Sequence, residues 1–405
     1  MRPPPVKPQL FRILLVGTRY DEFTLEEAGF HAPDAKLPPL EEEDLQTGRW
    51  LQHLEMDNVF VTAETAAEAL EVLKKEAFDI VICDYMVGSD SSIPLSRRIK
   101  RDHPSVMAVL LTSNPLYAGP RPAWPEKGAF DIVLTWHGNG QLLRSIVLLQ
   151  KDTTPAASSG EFRPRAILLV EDEPGLAGLY LPLIHEEIFS RMREILPETP
   201  PGDMLLKILA ERPRLLYATT YEEAVDLVKR WGDEILGVIT DVQFTREGRL
   251  EAEAGFELVR FIRRLYPTLP IAIQSRDPDI HNISRALGAH FLHKEPMKLL
   301  SKLKGFMIDY LGFGPFIFRT TDGTEVARAR DIRELARAMK TCPLESFLYH
   351  AGNNHFSAWL SLHGHRALAV KFAPMRAYNE LDRQNHVRIV REYISEVFPD
   401  RCVFF

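Results

Sequence analysis

At 405 residues the chain exceeds one ordinary hydrophobic core and predicts two to three domains. Its 45% hydrophobic and 26% charged residues are those of a globular protein, and the net charge of -7 speaks against a general nucleic-acid binder, since Lys and Arg make phosphate contacts. No apolar run approaches the ~20 residues of a membrane-spanning helix. The prolines of MRPPPVKPQLF stand where an export signal has its apolar segment, and Cys83, Cys342 and Cys402 are too far apart for a metal-ligand pair, so a reducing, cytoplasmic location is expected.

After a tail over residues 1–10, FRILLV is a continuous apolar run suited to a buried parallel strand. TAETAAEALEVLKKEAF has the spacing of an amphipathic helix with Thr65 as N-cap, and FDIVICD and VMAVLLTS supply two further strands. These elements predict a domain over residues 11–150. KDTTPAASSGEFRP is polar, small and proline-bearing, and reads as a linker over 151–164. The order then repeats over 165–312 as RAILLVED, ATTYEEAVDLVKRWGDE, ILGVITD, LPIAIQS and AHFLHKEP, with helical patterns such as GFELVRFIRRLYP between strands. Strand and helix in alternation imply a parallel sheet covered on both faces, so the chain carries a doubled, doubly wound α/β domain.

Beyond residue 312 the pattern changes. GPFIFRTTDGTEVARARD predicts two short strands joined at Asp322-Gly323, a dipeptide suited to a tight hairpin. DIRELARAMK, NHFSAWLSLHG with Asn354 as its cap, and NELDRQNHVRIVREYISEVF predict helices. Residues 313–405 thus form a small α+β or mainly helical module.

In a doubly wound sheet functional residues gather at the carboxyl ends of the strands. In the second segment these ends carry Glu171 and Asp172, then Asp241, Ser275 and Lys294. Three crowded carboxylates raise one another's proton affinity unless a cation intervenes, and hard oxygen ligands suit Mg²⁺. Lys294 can offset the charge of an incoming phosphoryl group and Ser275 can donate a hydrogen bond to it, with Asp241 as the nucleophile. Taken singly, each of these residues reads as a solvated loop residue or helix cap. Together they resemble the receiver domain of two-component response regulators, a flavodoxin-like fold.

The resemblance implies Asp241 as phosphoacceptor, and Glu171, Asp172, Asp241 and the backbone carbonyl of Gln243 as Mg²⁺ ligands. It further implies Ser275 and Lys294 as phosphoryl-binding groups and Phe291 as the switch aromatic. Three features depart from the family pattern: the long QFTREGRLEAEA after Asp241, the extra stretch around ILPETPPGDMLLKILAERP, and Glu295 between Lys294 and Pro296.

The first segment keeps Asp84 and Thr112 but has Gly17 and Thr18 in place of the acidic pair, and Thr135 and Trp136 where a lysine is expected. It reads as a degenerate pseudo-receiver that packs against a partner or against the second copy. YDEFTLEE, LLYATTYEEA, LGVITDVQF, EAGFELVR, LGFGPFIFR and YHAGNNHFSAWL further resemble the N-terminal regulatory region of bacterial phosphoenolpyruvate synthase or pyruvate phosphate dikinase-like proteins. The catalytic portion of such proteins is not in the chain, so dikinase activity is not implied.

His350, His355, His363 and His365 fit no standard zinc spacing, and a packing stripe of His355, Trp359 and His363 is expected on one helix face. The resulting expectation is a non-enzymatic signalling protein. It would take a phosphoryl group on Asp241 from a sensor histidine kinase or phosphotransfer protein and act on an output protein by contact, with homodimerisation or receiver-receiver packing as further contacts. A phosphorylation-independent scaffold and a regulatory partner of a separately encoded dikinase-type enzyme are the alternatives.

Overall fold

The structure is a computed structural model describing residues 11–31, 58–113, 128–153, 163–195, 211–295 and 298–398. In the first segment the strands are β1 (Arg12–Val16), β2 (Phe30–His31), β3 (Asn58–Ala63), β4 (Ile80–Asp84), β5 (Met86–Val87), β6 (Asp90–Ser91), β7 (Met107–Thr112) and β8 (Ile132–Thr135). Its helices are α1 (Glu22–Ala28), α2 (Ala66–Lys75), α3 (Ile93–Asp102) and α4 (Gly140–Thr153). Six strands form a parallel sheet in the order β2-β3-β1-β4-β7-β8, and β5 and β6 make a small hairpin beyond Asp84. Thr65 caps α2 as its position predicts, its hydroxyl accepting from the Glu68 amide at 3.2 Å.

The second segment contains β9 (Ala166–Val170), β10 (Arg214–Ala218), β11 (Ile235–Asp241), β12 (Phe244–Arg246), β13 (Arg249–Glu251), β14 (Ile271–Ser275) and β15 (His290–His293). Its helices are α5 (Pro174–Ile195), α6 (Tyr221–Trp231), α7 (Ala254–Leu265), α8 (Ile280–Ala286) and α9 (Leu299–Tyr310). The parallel sheet runs β10-β9-β11-β14-β15, the flavodoxin-like order 2-1-3-4-5, and the first sheet has the same order with β2 added at one edge. Both sheets are built from continuous apolar strands because helices bury both faces. Ile13 to Val16 and Ala166 to Val170 are wholly buried.

The C-terminal module consists of an antiparallel hairpin, β16 (Phe316–Arg319) and β17 (Glu325–Ala329), and the helices α10 (Ile332–Thr341), α11 (Leu344–Gly352), α12 (His355–Leu362), α13 (Arg366–Phe372) and α14 (Glu380–Val397). Gly323 turns the hairpin with φ at 90°. Asn354 occupies the N-cap of α12 as expected, but without capping through its side chain. It lies in the left-handed region at φ 60°, a conformation Asn tolerates. His355 and Trp359 do share α12, and His363 follows it, stacked on Trp359 with centroids 3.7 Å apart.

The two sheets share one hydrophobic core, which runs from Phe11 through α4 and α5 to α9. The stretch expected as a linker takes part in this union at its described ends, while residues 154–162 lie outside the described residues. Helix α4 continues through Thr153 and buries Asp152 completely. The Asp152 carboxylate accepts from Arg212 Nη1 (3.2 Å), Arg214 (3.1 Å) and the Leu215 amide (2.7 Å), and His185 of α5 lies 3.8 Å away. Burial works against the charge of Asp152, but Arg212, His185 and Arg214 outweigh it and hold the carboxyl below the usual range. Arg165, just after the other end of the stretch, donates to the Asp233 carbonyl (2.9 Å) and to Ser357 Oγ (3.0 Å), tying the second sheet to the C-terminal module.

Candidate functional site

At the carboxyl end of the second sheet, β9 delivers Glu171 and Asp172, β11 delivers Asp241, and β15 is followed directly by Lys294. One carboxylate oxygen from each of Glu171, Asp172 and Asp241 falls within 4.8 Å of the others. Lys294 Nζ lies between two of them, 2.9 Å from Glu171 Oε2 and 2.9 Å from Asp241 Oδ2. The register explains the meeting. Asp241 stands opposite Gln274, which places Ser275 one residue further toward the rim, and the Lys294 amide donates to the Ser275 carbonyl at 2.8 Å.

Burial, partly offset by Lys294 and reinforced by the charge of Asp241, pushes the Glu171 carboxyl up to about 7. Burial pulls the Lys294 ammonium down, but Glu171 and Asp241 outweigh it and its pKa rises. The pocket thus holds more negative than positive charge in a dry setting, and its oxygen ligands match the preference of a hard divalent cation. Asp172 Oδ2 accepts from the Thr245 amide at 3.3 Å, and Asp241 Oδ1 from the Val242 amide at 2.7 Å. Gly255 is required beside them, because a Cβ there would stand 2.1 Å from the Asp241 carbonyl oxygen.

Gln243 is exposed two residues beyond Asp241. Ser275 Oγ accepts from the Asp277 amide at 3.1 Å. Phe291 is half-buried, its ring edge-on to His281 at 5.8 Å between centroids. The long insertion after Asp241 forms the β12–β13 hairpin. This hairpin is anchored on the first turn of α6, where Arg246 lies 4.6 Å from the Tyr221 ring and the Glu247 amide donates to Glu222 at 2.8 Å. Most of the other insertion, residues 196–210, and Pro296 fall outside the described residues. At the rim Arg276 Nη2 lies 3.0 Å from both oxygens of Glu173, a pair the motif reading did not include.

The first segment has the same frame with different contents. The Gly17 amide donates to Ala63 (2.9 Å) as the Glu171 amide does to Ala218 (3.1 Å), and Trp136 donates to Thr112 (3.0 Å) as Lys294 does to Ser275. Gly17 therefore stands where Glu171 does, and Trp136 where Lys294 does. Asp84 is buried and pairs with Arg19 Nη2 at 2.6 Å, while the Tyr20 hydroxyl lies 3.3 Å from the same oxygen. The hydrogen bond that Arg19 donates to Asp84 raises the Arg19 pKa. Gly17 has φ at 148°, and a Cβ there would lie 2.2 Å from Asp84 Oδ2. Thr112 is buried at the end of β7. Asp21 accepts from the Thr24 amide at 2.7 Å as the cap of α1. Sequence reasoning missed Arg19 although it stands in GTRYDEF, because its partner is 65 residues away.

No family model matches the chain, and no curated protein matches it. Solved structures to which it is similar include the response regulator TrrA from Thermotoga maritima in complex with Mg²⁺ and BeF, at 23% identity over 34% of this chain and 96% of that one, with a TM-score of 0.22. A response regulator receiver domain protein from Clostridium thermocellum matches at 20% identity over 34% of this chain and 90% of that one, TM-score 0.22. A probable two-component system response regulator/GGDEF domain protein matches at 15% identity over 73% and 98%, TM-score 0.29. Values this low leave the fold assignment resting on strand order and register. Among the described residues no helix is long and apolar enough to cross a membrane.

Proposed function

We propose that the chain is a cytoplasmic, response-regulator-like signalling protein, not an enzyme acting on other substrates, that accepts a phosphoryl group on Asp241. The observation that carries this reading is the placement of Lys294 between Glu171 and Asp241, beside a third carboxylate at 4.8 Å or less. Asp241 attacks phosphorus through a carboxylate oxygen, forming an acyl phosphate while the bond from phosphorus to the donor's nitrogen or oxygen breaks and the electron pair leaves with the donor. Glu171, Asp172 and Asp241, with the Gln243 carbonyl, would hold Mg²⁺, which when bound offsets charge on the transferring group. Lys294 is already within reach of Asp241 and provides a fixed cation for the new oxygens. Ser275 supplies a hydroxyl on the neighbouring strand, and Phe291 is the aromatic that repacks with it.

Phosphorylation adds up to about two negative charges beside buried Glu171 and Lys294. The route to an output surface is α5, which starts three residues after Glu171 and packs along the first sheet. At Gly178 it approaches so closely that a Cβ would lie 2.5 Å from the Thr135 carbonyl oxygen. A histidine kinase or phosphotransfer protein would be the donor, and a contact partner the output.

The test is intact mass after incubation with acetyl phosphate and Mg²⁺. Wild type should gain one phosphate, Asp241→Asn none and Asp84→Asn one. An unlabelled wild type, under conditions that label an ordinary receiver, would leave the acidic pocket without this role and favour a constitutive scaffold.

A further inference from the structure

At the opposite end of the second sheet from Asp241, the amino-terminal ends of β11, β14 and β15 face the C-terminal module across a cleft of about 610 Å³. This volume is ordinary for a small-molecule site, and junctions between structural units are where such sites concentrate. His290 and Tyr310 form one aromatic wall with centroids 3.7 Å apart, and Tyr349 of α11, edge-on to His355, also lines the cleft. Arg319 lies 4.6 Å from the Tyr310 ring and donates to the Asp309 carbonyl at 3.2 Å. Arg263 donates to the carbonyls of Leu269, Leu287 and Gly288. Among the described residues neither guanidinium is ion-paired with a carboxylate, so both bring net positive charge to the cleft.

The histidines add directional groups. His350 Nε2 accepts from the Arg319 amide at 2.8 Å, so in the neutral ring the proton is on Nδ1 and is directed to His355 Nδ1, 3.0 Å away. That relay leaves Nε2 of His355 as a donor. Burial, together with the charge of Arg319, lowers the pKa of both rings and keeps them neutral near pH 7. Asn354, which also lines the cleft, has a buried Oδ1 that accepts no hydrogen bond among the described residues, and its backbone holds φ at 60°. An unsatisfied buried acceptor, two unpaired guanidinium charges and facing aromatic rings call for a ligand with a donor edge, negative charge and a flat ring.

We propose that this cleft binds a phosphate-bearing ring compound of nucleotide size. The ring lies against His290 and Tyr310, a ring N–H or N–H₂ meets Asn354 Oδ1, and the phosphate faces Arg319 and the Nε2 donor of His355. The site is separate from the acidic pocket and does not depend on its chemistry. Its occupant would bear on β15, the strand that carries Phe291 and leads into Lys294.

The experiment is calorimetric titration of the full chain with AMP, GMP, adenosine and pyrophosphate in metal-free buffer, on wild type and on Asp241→Asn. AMP or GMP should bind, and adenosine and pyrophosphate, each carrying half of the recognised chemistry, should bind at least about tenfold more weakly. Asp241→Asn should bind as wild type does, which keeps the result independent of phosphoryl acceptance. Arg319→Gln and His355→Gln should each weaken binding by about tenfold or more while the melting transition shows a folded protein. If one variant fails to fold, the other decides. No binding of either nucleotide up to about 1 mM, or equal binding by both folded variants and wild type, would overturn the proposal.

Discussion

The two receiver-like sheets share strand order and register, yet charge is distributed at their rims in opposite ways. In the second, Lys294 sits between Glu171 and Asp241 while a third carboxylate stays nearby, leaving an acidic surplus. In the first, the residue corresponding to Glu173 is Arg19, which turns inward to Asp84 and also donates to Ser113 Oγ at 3.2 Å. Ser113 corresponds to Arg276, the partner of Glu173 in the second sheet. The same two positions therefore meet in both copies. In one they place a cation on the buried aspartate, and in the other they form an ion pair at the rim and leave the pocket for something else. One fold thus carries a buried aspartate paired with an arginine in one copy and an acidic surplus in the other.

The largest expected effect is at the joint between the copies. Asp152→Ala leaves Arg212 and Arg214 buried without their counter-charge, and should cost about 3–5 kcal/mol. Denaturant melts followed from both segments should separate into two transitions, and a single unshifted transition would show that the copies do not depend on this joint. Next comes Lys294→Ala, which should slow acetyl phosphate labelling of Asp241 by about 10²–10³-fold. Labelling at the wild-type rate would remove Lys294 from the site's chemistry.

Arg19→Met leaves Asp84, among the described residues, with the Tyr20 hydroxyl and should destabilise the chain by about 1–3 kcal/mol, read as a lower melting temperature. If it instead makes Asp84 labelable, the internal cation is what closes the first site. The pH dependence is smaller. Glu171, with its pKa raised to about 7, favours the neutral folded form. Its contribution to metal-free stability is present below its ordinary value and is lost as pH rises through about 7. The melting temperature of wild type relative to Glu171→Gln should fall between pH 5 and pH 8, and Mg²⁺ should reverse more of that fall at the higher pH. The smallest effect is Glu173→Gln. Its pair with Arg276 is exposed on the arginine side, so the loss should be no more than about 1 kcal/mol in a chemical melt.

Much of this is legible in the sequence. Ile13 to Val16 and Ala166 to Val170 are uninterrupted apolar runs, and such runs with helical spacing between them admit few arrangements other than a covered parallel sheet. Glu171, Asp172, Asp241, Ser275 and Lys294 were found because each stands at the end of such a run. Arg19 was not, because nothing in GTRYDEF says which way an arginine at a loop turns. The polar stretch after residue 150 pointed to a linker, yet Asp152 within it and Arg165 just after it are buried. A charged residue reads as solvent-facing until its partners are known, and those of Asp152 are about sixty residues downstream. Asn354 stands at the helix cap as expected, but its side chain contributes an unsatisfied acceptor to a cleft in place of a capping bond.

The sequence alone indicated the alternation of strands and helices and the acidic residues and lysine that stand at strand ends, since these follow from local hydrophobic period and from position relative to those ends. Only the tertiary structure decided that Asp84 is neutralised by Arg19, that the two sheets share one core through α4 and α5, and that a cleft opens between the second sheet and the C-terminal module. The division has a physical reason. Periodicity is carried by neighbouring residues and survives in a string of letters, whereas the pairing of buried charges is set by long-range contacts that exist only once the chain has closed on itself.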